Sequence, residues 1–277
     1  MNVLILAPHQ DDEILCAAGL IQILVGRGDN VFVLFATNGD YRGLEIARKR
    51  YCESRDALAL LGVDATQIFY LGYRDTGMRP CHSFLQRILS SPMSDVLEAP
   101  ICSQTYHPAG MKTVHFLRTG AEGPLSKMTL LADLSWCLNR CNPELLVLPS
   151  KADAHGDHAA LAALADYAYG DALPRLSYLI HGGDDIHWPS RVPGDILRPP
   201  VVLSSLWAQR IWIPLSESQQ QLKHKAISMF TTQLSEDCTG FLYAFAREEE
   251  LFFLRPKDID RMKNCGIPFS CVGYPTE

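Results

Sequence analysis

The run Asn2-Val3-Leu4-Ile5-Leu6-Ala7 constrains the fold more than any other feature of the 277-residue chain. A β-prone apolar stretch without polar alternation describes a strand buried on both faces, and such a strand needs a packed layer above it and another below. Ile14 to Val25 then places apolar residues at helical spacing before Gly26 and Gly28. Val31 to Thr37 repeats the buried-strand pattern, Glu45 to Leu61 reads as a helix closed by Gly62, and Gln67 to Leu71 reads as a third strand. Strands that alternate with helices in this way predict an α/β fold, a Rossmann-like doubly wound and mostly parallel sheet with helices on both faces.

From about 90 to 126 the pattern breaks into Pro, Gly, Ser and His, which reads as a long insertion lying over the surface and shaping access to a site. Order resumes with a helix from Leu125 to Cys141, a strand at Leu145 to Leu148, a helix from His158 to Tyr169 and a strand at Leu176 to His181. The portion from about 200 offers short strands near Val201 and Ile211. A helix opened by Ser216-Glu217-Ser218-Gln219 runs to about Thr232, and β-prone pieces follow at Phe241 to Ala246 and Leu251 to Leu254. One domain spanning 1–277 is the expectation.

Composition narrows the function classes. Apolar residues at 47 % and charged residues at 20 % exclude a disordered or fibrous chain. A formal net charge of −6 gives no general electrostatic case for nucleic acid as a partner. No apolar window reaches the roughly 20 residues of a membrane span, and Met1 to Pro8 runs straight into the acidic cluster with no basic residues and too short an apolar stretch to be expected as a signal peptide. A cytoplasmic location is expected, with peripheral access to a lipid-linked substrate left open, as is homo-oligomerisation. The nine cysteines are scattered and read as mainly buried, free thiols.

The chemistry concentrates in two places. Pro8-His9-Gln10-Asp11-Asp12-Glu13 stands where the first strand gives way to the first helix, at the edge where open α/β sheets bind ligands. A phosphate site there would call for glycines and backbone N–H groups, whereas this acid-rich cluster with an imidazole suits a cation. Asp153-Ala154-His155-Gly156-Asp157-His158 stands at the equivalent end of a later strand. Its two histidines, three apart, can join His9 and Asp12 in a His-His-carboxylate metal set with an open position. Helix capping explains one Asp in such a loop; it does not explain a His-Asp-Asp-Glu cluster repeated in kind.

These motifs resemble the PIG-L/LmbE-type deacetylases, whose signatures are a His-Pro-Asp-Asp-Glu loop and a later His-x-Asp-His. The similarity extends to Thr37-Asn38-Gly39, to Arg50 with Glu53 before Leu61-Gly62-Val63, and to Asp75-Thr76-Gly77-Met78. The resemblance implies a catalytic Zn2+, or another divalent ion, held by His9, Asp12 and His158. It further implies Asp11 as general base, His155 as acid or oxyanion stabiliser, and Arg50 and Asp75 as ligands of sugar hydroxyls. Asp157 is expected to tune His155, and His181, at a strand end, to reach the site. Tyr106 and Trp188 are candidates for stacking on a sugar. The segment Tyr178 to Gly183 with His187-Trp188-Pro189, and Lys223 to Gln233, also resemble a glycoconjugate-acting branch. Gln10 departs from the family's Pro and removes a backbone restraint.

The activity implied is hydrolysis of the N-acetyl or N-acyl amide of an amino sugar in a glycoconjugate, glycolipid or sugar-containing metabolite, by metal-activated water. The rival readings are a metal-dependent amidase of a thiol conjugate, a phosphoesterase, and a non-catalytic sugar-binding protein.

Overall fold

The computed structural model describes residues 1–79, 81–99, 102–183, 188–192, 195, 197–198 and 209–271. Its centre is one eight-stranded sheet. In chain order the strands are β1 (Asn2–Ala7), β2 (Asn30–Thr37), β3 (Ile68–Tyr73), β4 (Leu145–Pro149), β5 (Arg175–Tyr178), β6 (Gln209–Pro214), β7 (Glu249–Leu254) and β8 (Ser270–Cys271). They lie in the order β3-β2-β1-β4-β5-β7-β6-β8. Pairing is parallel from β3 through β5 and antiparallel among β5, β7, β6 and β8.

The helices are α1 (Asp12–Gly26), α2 (Leu44–Leu60), α3 (Phe84–Ser90), α4 (Val114–Thr119), α5 (Lys127–Cys141), α6 (Gly156–Tyr169), α7 (Glu217–Ser228), α8 (Thr231–Leu234) and α9 (Ile259–Asn264). The period-2 geometry of β1 sends Val3, Ile5 and Ala7 into a core shared with α1 and Leu4 and Leu6 into a second core shared with α5 and α6. Both faces of the strand are thereby covered. Strand order reverses at β1, between β2 on one side and β4 on the other, and this switch point leaves a crevice beyond the carboxyl ends of β1 and β4. The two acidic and histidine-bearing loops follow those two strands.

Several sequence expectations differ from the structure. The 90–126 segment does not merely lie over the surface: Val114 and Leu125 are fully buried in the second core, and bridges Val96↔Ser126 and Gln104↔Pro124 pin it down. The helix expected to reach Thr232 ends at Ser228 and restarts at Thr231, and the β-prone 241–246 piece forms a 3-10 turn over Tyr243–Phe245. Strand β5 stops at Tyr178, short of His181. Cys16, Cys137 and Cys141 are buried while Cys52, Cys81 and Cys238 are exposed, and these, like Cys102 and Cys265, are free thiols. The strand expected near Val201 and the motif residue His187 lie outside the described residues. Among the described residues no helix is long and apolar enough to cross a membrane.

Candidate metal centre and its cleft

The first loop is held by more than its sequence neighbours. Asp11, immediately before α1, has φ 145°, a region that non-glycine residues seldom adopt. The surroundings enforce it. Glu13 accepts the Asp11 N–H at 3.0 Å and the Ser54 hydroxyl at 2.7 Å, and Arg50 donates to the Gln10 carbonyl at 3.0 Å. The Gln10 side chain donates to the Thr37 carbonyl at 2.8 Å, so a hydrogen bond across to β2 supplies the tether that a proline ring would otherwise provide. Burial pushes the Glu13 carboxyl up to about 8.

Three donor atoms converge above the switch point. His9 Nδ1 and His158 Nε2 are 3.3 Å apart, and Asp12 Oδ2 lies 3.4 Å from the first and 3.2 Å from the second. A tetrahedral ion with bonds of about 2.0 to 2.1 Å separates its ligand atoms by about 3.3 to 3.4 Å, so the three edges match one face of such a tetrahedron. His155 joins the same group of imidazoles, its ring centroid 4.6 Å from that of His9. His9 and His158 each face a carboxylate on the side away from the triangle. His9 Nε2 meets Asp157 Oδ2 at 3.2 Å, and His158 Nδ1 meets Asp153 Oδ2 at 3.1 Å. Such pairs fix ring orientation and raise ligand basicity.

Electrostatics agree with the donor set. Burial alone would drive His9 and His158 neutral; the carboxylates around them reverse this, holding His9 well above the usual imidazole range and His158 at about 10. Burial likewise opposes charge on Asp12, yet His158 and His9 keep its carboxyl well below the usual range. A pocket that draws protons onto two buried imidazoles suits a dication that displaces them. The buried His/Asp group therefore fits a divalent metal.

The cleft in front of this centre has a volume of about 370 Å³ and is lined by His9, Asp11, Asp12, Arg50, Asp75, His155 and His181 among others. Asp11 is pushed up to about 6 by burial, a rise that Arg50 partly offsets from 3.3 Å. Arg50 also faces Asp75 at 3.7 Å, and Asp40 fixes Asp75 by accepting its backbone N–H at 2.8 Å. His155 Nδ1 accepts the Asp157 backbone N–H at 3.2 Å. Burial, reinforced by His9, His158 and His181, drives His155 far below the usual imidazole range, so the neutral ring carries its proton on Nε2. The Asp157 carboxylate, expected to tune His155, faces His9 instead and accepts from Ser83 Oγ. Burial also lowers His181 to about 4; its ring lies 5.3 Å from His155 and 5.1 Å from His158.

Both stacking candidates have their polar atoms engaged elsewhere. Tyr106 donates its hydroxyl to Asp40, and the indole N–H of buried Trp188 donates to the Leu179 carbonyl at 3.3 Å. Sequence reasoning gave no role to the cleft residues Arg42, Glu236 and Phe241, and named Gln233 only as the end of the Lys223 to Gln233 segment. It also gave no role to Asp153, which besides bracing His158 accepts the backbone N–H groups of His155, Ile180 and His181 at 2.9, 2.9 and 3.1 Å. Its place in the run Asp153-x-His155-x-Asp157-His158 was the available signal.

A profile described as PIG-L, GlcNAc-PI de-N-acetylase, matches residues 4–169. No curated protein sequence matches the chain. Among solved structures the A40926 pseudoaglycone deacetylase superposes with TM-score 0.58 at 14% identity, covering 91% of this chain and 96% of that one. The N,N′-diacetylchitobiose deacetylase of Pyrococcus horikoshii gives TM-score 0.54 at 17% identity, covering 98% and 83%. The zinc-inhibited form of teicoplanin deacetylase gives TM-score 0.54 at 14% identity, covering 88% and 90%. At these identities the likeness is one of fold.

Proposed function

The chain belongs to the PIG-L family of GlcNAc-PI de-N-acetylases, and from that premise we propose that it hydrolyses the N-acetyl, or a related N-acyl, amide of an amino sugar carried on a larger molecule. The observation that carries this reading is the triangle of His9 Nδ1, His158 Nε2 and Asp12 Oδ2 with Asp11 beside it at the mouth of the cleft. The three similar folds belong to deacetylases, one of them acting on N,N′-diacetylchitobiose, which supports the same reading.

In this proposal His9, Asp12 and His158 hold Zn2+ or another divalent ion. Such an ion, when bound, polarises the acyl carbonyl and acidifies water. The chain's own residues do the rest. Asp11, its carboxyl near 6, takes the proton of the attacking water as the new C–O bond forms. The neutral His155 donates its Nε2–H to the oxygen on which negative charge develops. As the C–N bond breaks, Asp11 returns its proton to the departing nitrogen, leaving a free amine and a carboxylic acid. Arg50 orients Asp11 and, with Asp75, presents hydrogen-bonding groups to sugar hydroxyls. His181 lines the substrate side of the imidazole cluster.

The phosphoesterase alternative fits the cleft less well. Both cleft arginines are matched by carboxylates, Arg50 by Asp11 and Asp75 and Arg42 by Glu236, so neither stands ready to clamp a transferring phosphoryl group. The test is Asp11→Asn assayed for metal content and for amine release from N-acetylglucosamine conjugates. Retained metal with turnover lowered by about 10²- to 10⁴-fold is expected; turnover near the wild-type rate would remove Asp11 as the base.

A further inference from the structure

The cleft does not end at His181. The Phe241 ring stacks on His181 with centroids 5.4 Å apart and planes 8° apart, and the Arg191 guanidinium lies 4.9 Å from the centroid of the same ring. A second cavity of about 620 Å³ shares Met78, His181 and Phe241 with the catalytic cleft and continues past Gly183 and Trp188 to Arg191. The common wall is held firmly. Asp237 accepts the backbone N–H groups of Thr239, Phe241 and Leu242 at 3.2, 2.8 and 2.9 Å, which fixes the turn presenting Phe241 and occupies both carboxylate oxygens.

Arg191 differs from the arginines of the catalytic cleft. It donates one N–H to the Pro189 carbonyl, and among the described residues no carboxylate stands within ion-pair distance of it, Asp237 acting on it only from further off. Contact with an aromatic ring holds a guanidinium plane in place while leaving edge N–H groups available. Successive contacts of 5.3 Å from His155 to His181, 5.4 Å to Phe241 and 4.9 Å to Arg191 form one continuous row of side chains from the metal centre into the second cavity.

We propose that the second cavity receives the part of the substrate beyond the reacting sugar, and that Arg191 selects conjugates whose distal part carries an anion, a carboxylate or a phosphate ester. The proposal rests on the deacetylase reading for what occupies the first cleft. A planar fork of N–H donors recognises either oxyanion by charge-assisted, paired hydrogen bonds.

The experiment uses the zinc-loaded protein and three glycosides of N-acetylglucosamine that share one flexible alkyl aglycone long enough to span the row from His155 to Arg191 and differ only in its end group: hydroxyl, carboxylate or phosphate monoester. Calorimetric Kd values and amine release are measured for wild type, Arg191→Gln and Arg191→Lys. Wild type should bind at least one anionic glycoside about tenfold more tightly than the hydroxyl-ended glycoside, and whichever anion is favoured identifies the source. That ratio should fall to near one in R191Q and be partly kept in R191K. Equal Kd values for all three glycosides in wild type, or a preference that survives R191Q, would overturn the proposal. An Arg191-dependent preference in Kd without amine release from any glycoside would uphold the subsite while refuting the deacetylase reading.

Discussion

Asp153 Oδ2 lies 3.1 Å from His158 Nδ1, on the opposite side of the imidazole from the Nε2 that faces Asp12 at 3.2 Å. The carboxylate thus sets the tautomer that presents Nε2 as a lone-pair donor. Asp153→Asn keeps the shape and loses the charge, so divalent-metal affinity should fall by about 10- to 100-fold. Competition with a chromogenic chelator measures it, and an unchanged Kd for metal would show that Asp153 serves only the backbone N–H groups around it.

Arg50 stands between Asp11 and Asp75, 3.3 Å from one and 3.7 Å from the other. If it addresses the sugar, Arg50→Ala should raise KM for an N-acetylglucosamine glycoside more than for a simple acetamide. Equal effects on the two substrates would confine its role to orienting Asp11.

Lys223 and Glu250 form a fully buried ion pair at 2.7 Å that is wired into α1. Lys223 donates to the Leu15 carbonyl at 2.8 Å, while Glu250 accepts the N–H groups of Gly19 and Leu20 at 2.7 and 2.8 Å. The charges are placed as a helix interior with diverted hydrogen bonds requires, a cation on the carbonyl and an anion on the N–H groups. Removing one partner strands the other, so Lys223→Met or Glu250→Gln should each cost about 3 to 5 kcal/mol in urea unfolding. A loss below about 1 kcal/mol would mean that water reaches the site.

How much of this was legible in the sequence follows from where the information sits. α1 and α2 were readable because each is long enough for helical periodicity to show, β1 and β2 because each is an unbroken apolar run, and the two metal motifs because they stand at strand ends. The short helices α3, α4 and α9 carry too few turns for a periodic signal. Phe241, Gln233 and Glu236 reach the cleft only because the segment following α7 packs back across α2, where Glu53 accepts from the Thr231 hydroxyl at 2.6 Å and the Thr232 N–H at 2.9 Å. No local pattern encodes that return. Asp157 was read as tuning His155, two positions before it in the same motif, yet its carboxylate turns to His9, 148 residues away.

His107 tests the insertion. It packs edge-on against Tyr51 and Tyr70 and accepts the N–H of Ala109 at 3.2 Å, and burial lowers its imidazole to about 4. Below the unfolded imidazole pKa of about 6.5 the unfolded chain takes up a proton that the folded one refuses, so stability is full above that pH and is lost as pH falls towards 4. Wild type should lose about 2 kcal/mol between pH 7 and pH 5 that His107→Gln does not lose. Parallel pH dependence of the urea midpoints in the two proteins would contradict the assignment.

The most direct test of the central claim is amine release from an N-acetylglucosamine glycoside by one preparation taken through chelation and stepwise return of Zn2+, with metal content measured at each stage. The account predicts that activity disappears with the metal and returns in proportion to occupancy, reaching its maximum at one equivalent per chain. Amine release that persists in fully chelated protein, or a metal-loaded protein that releases no amine from any N-acetylated sugar, would contradict it.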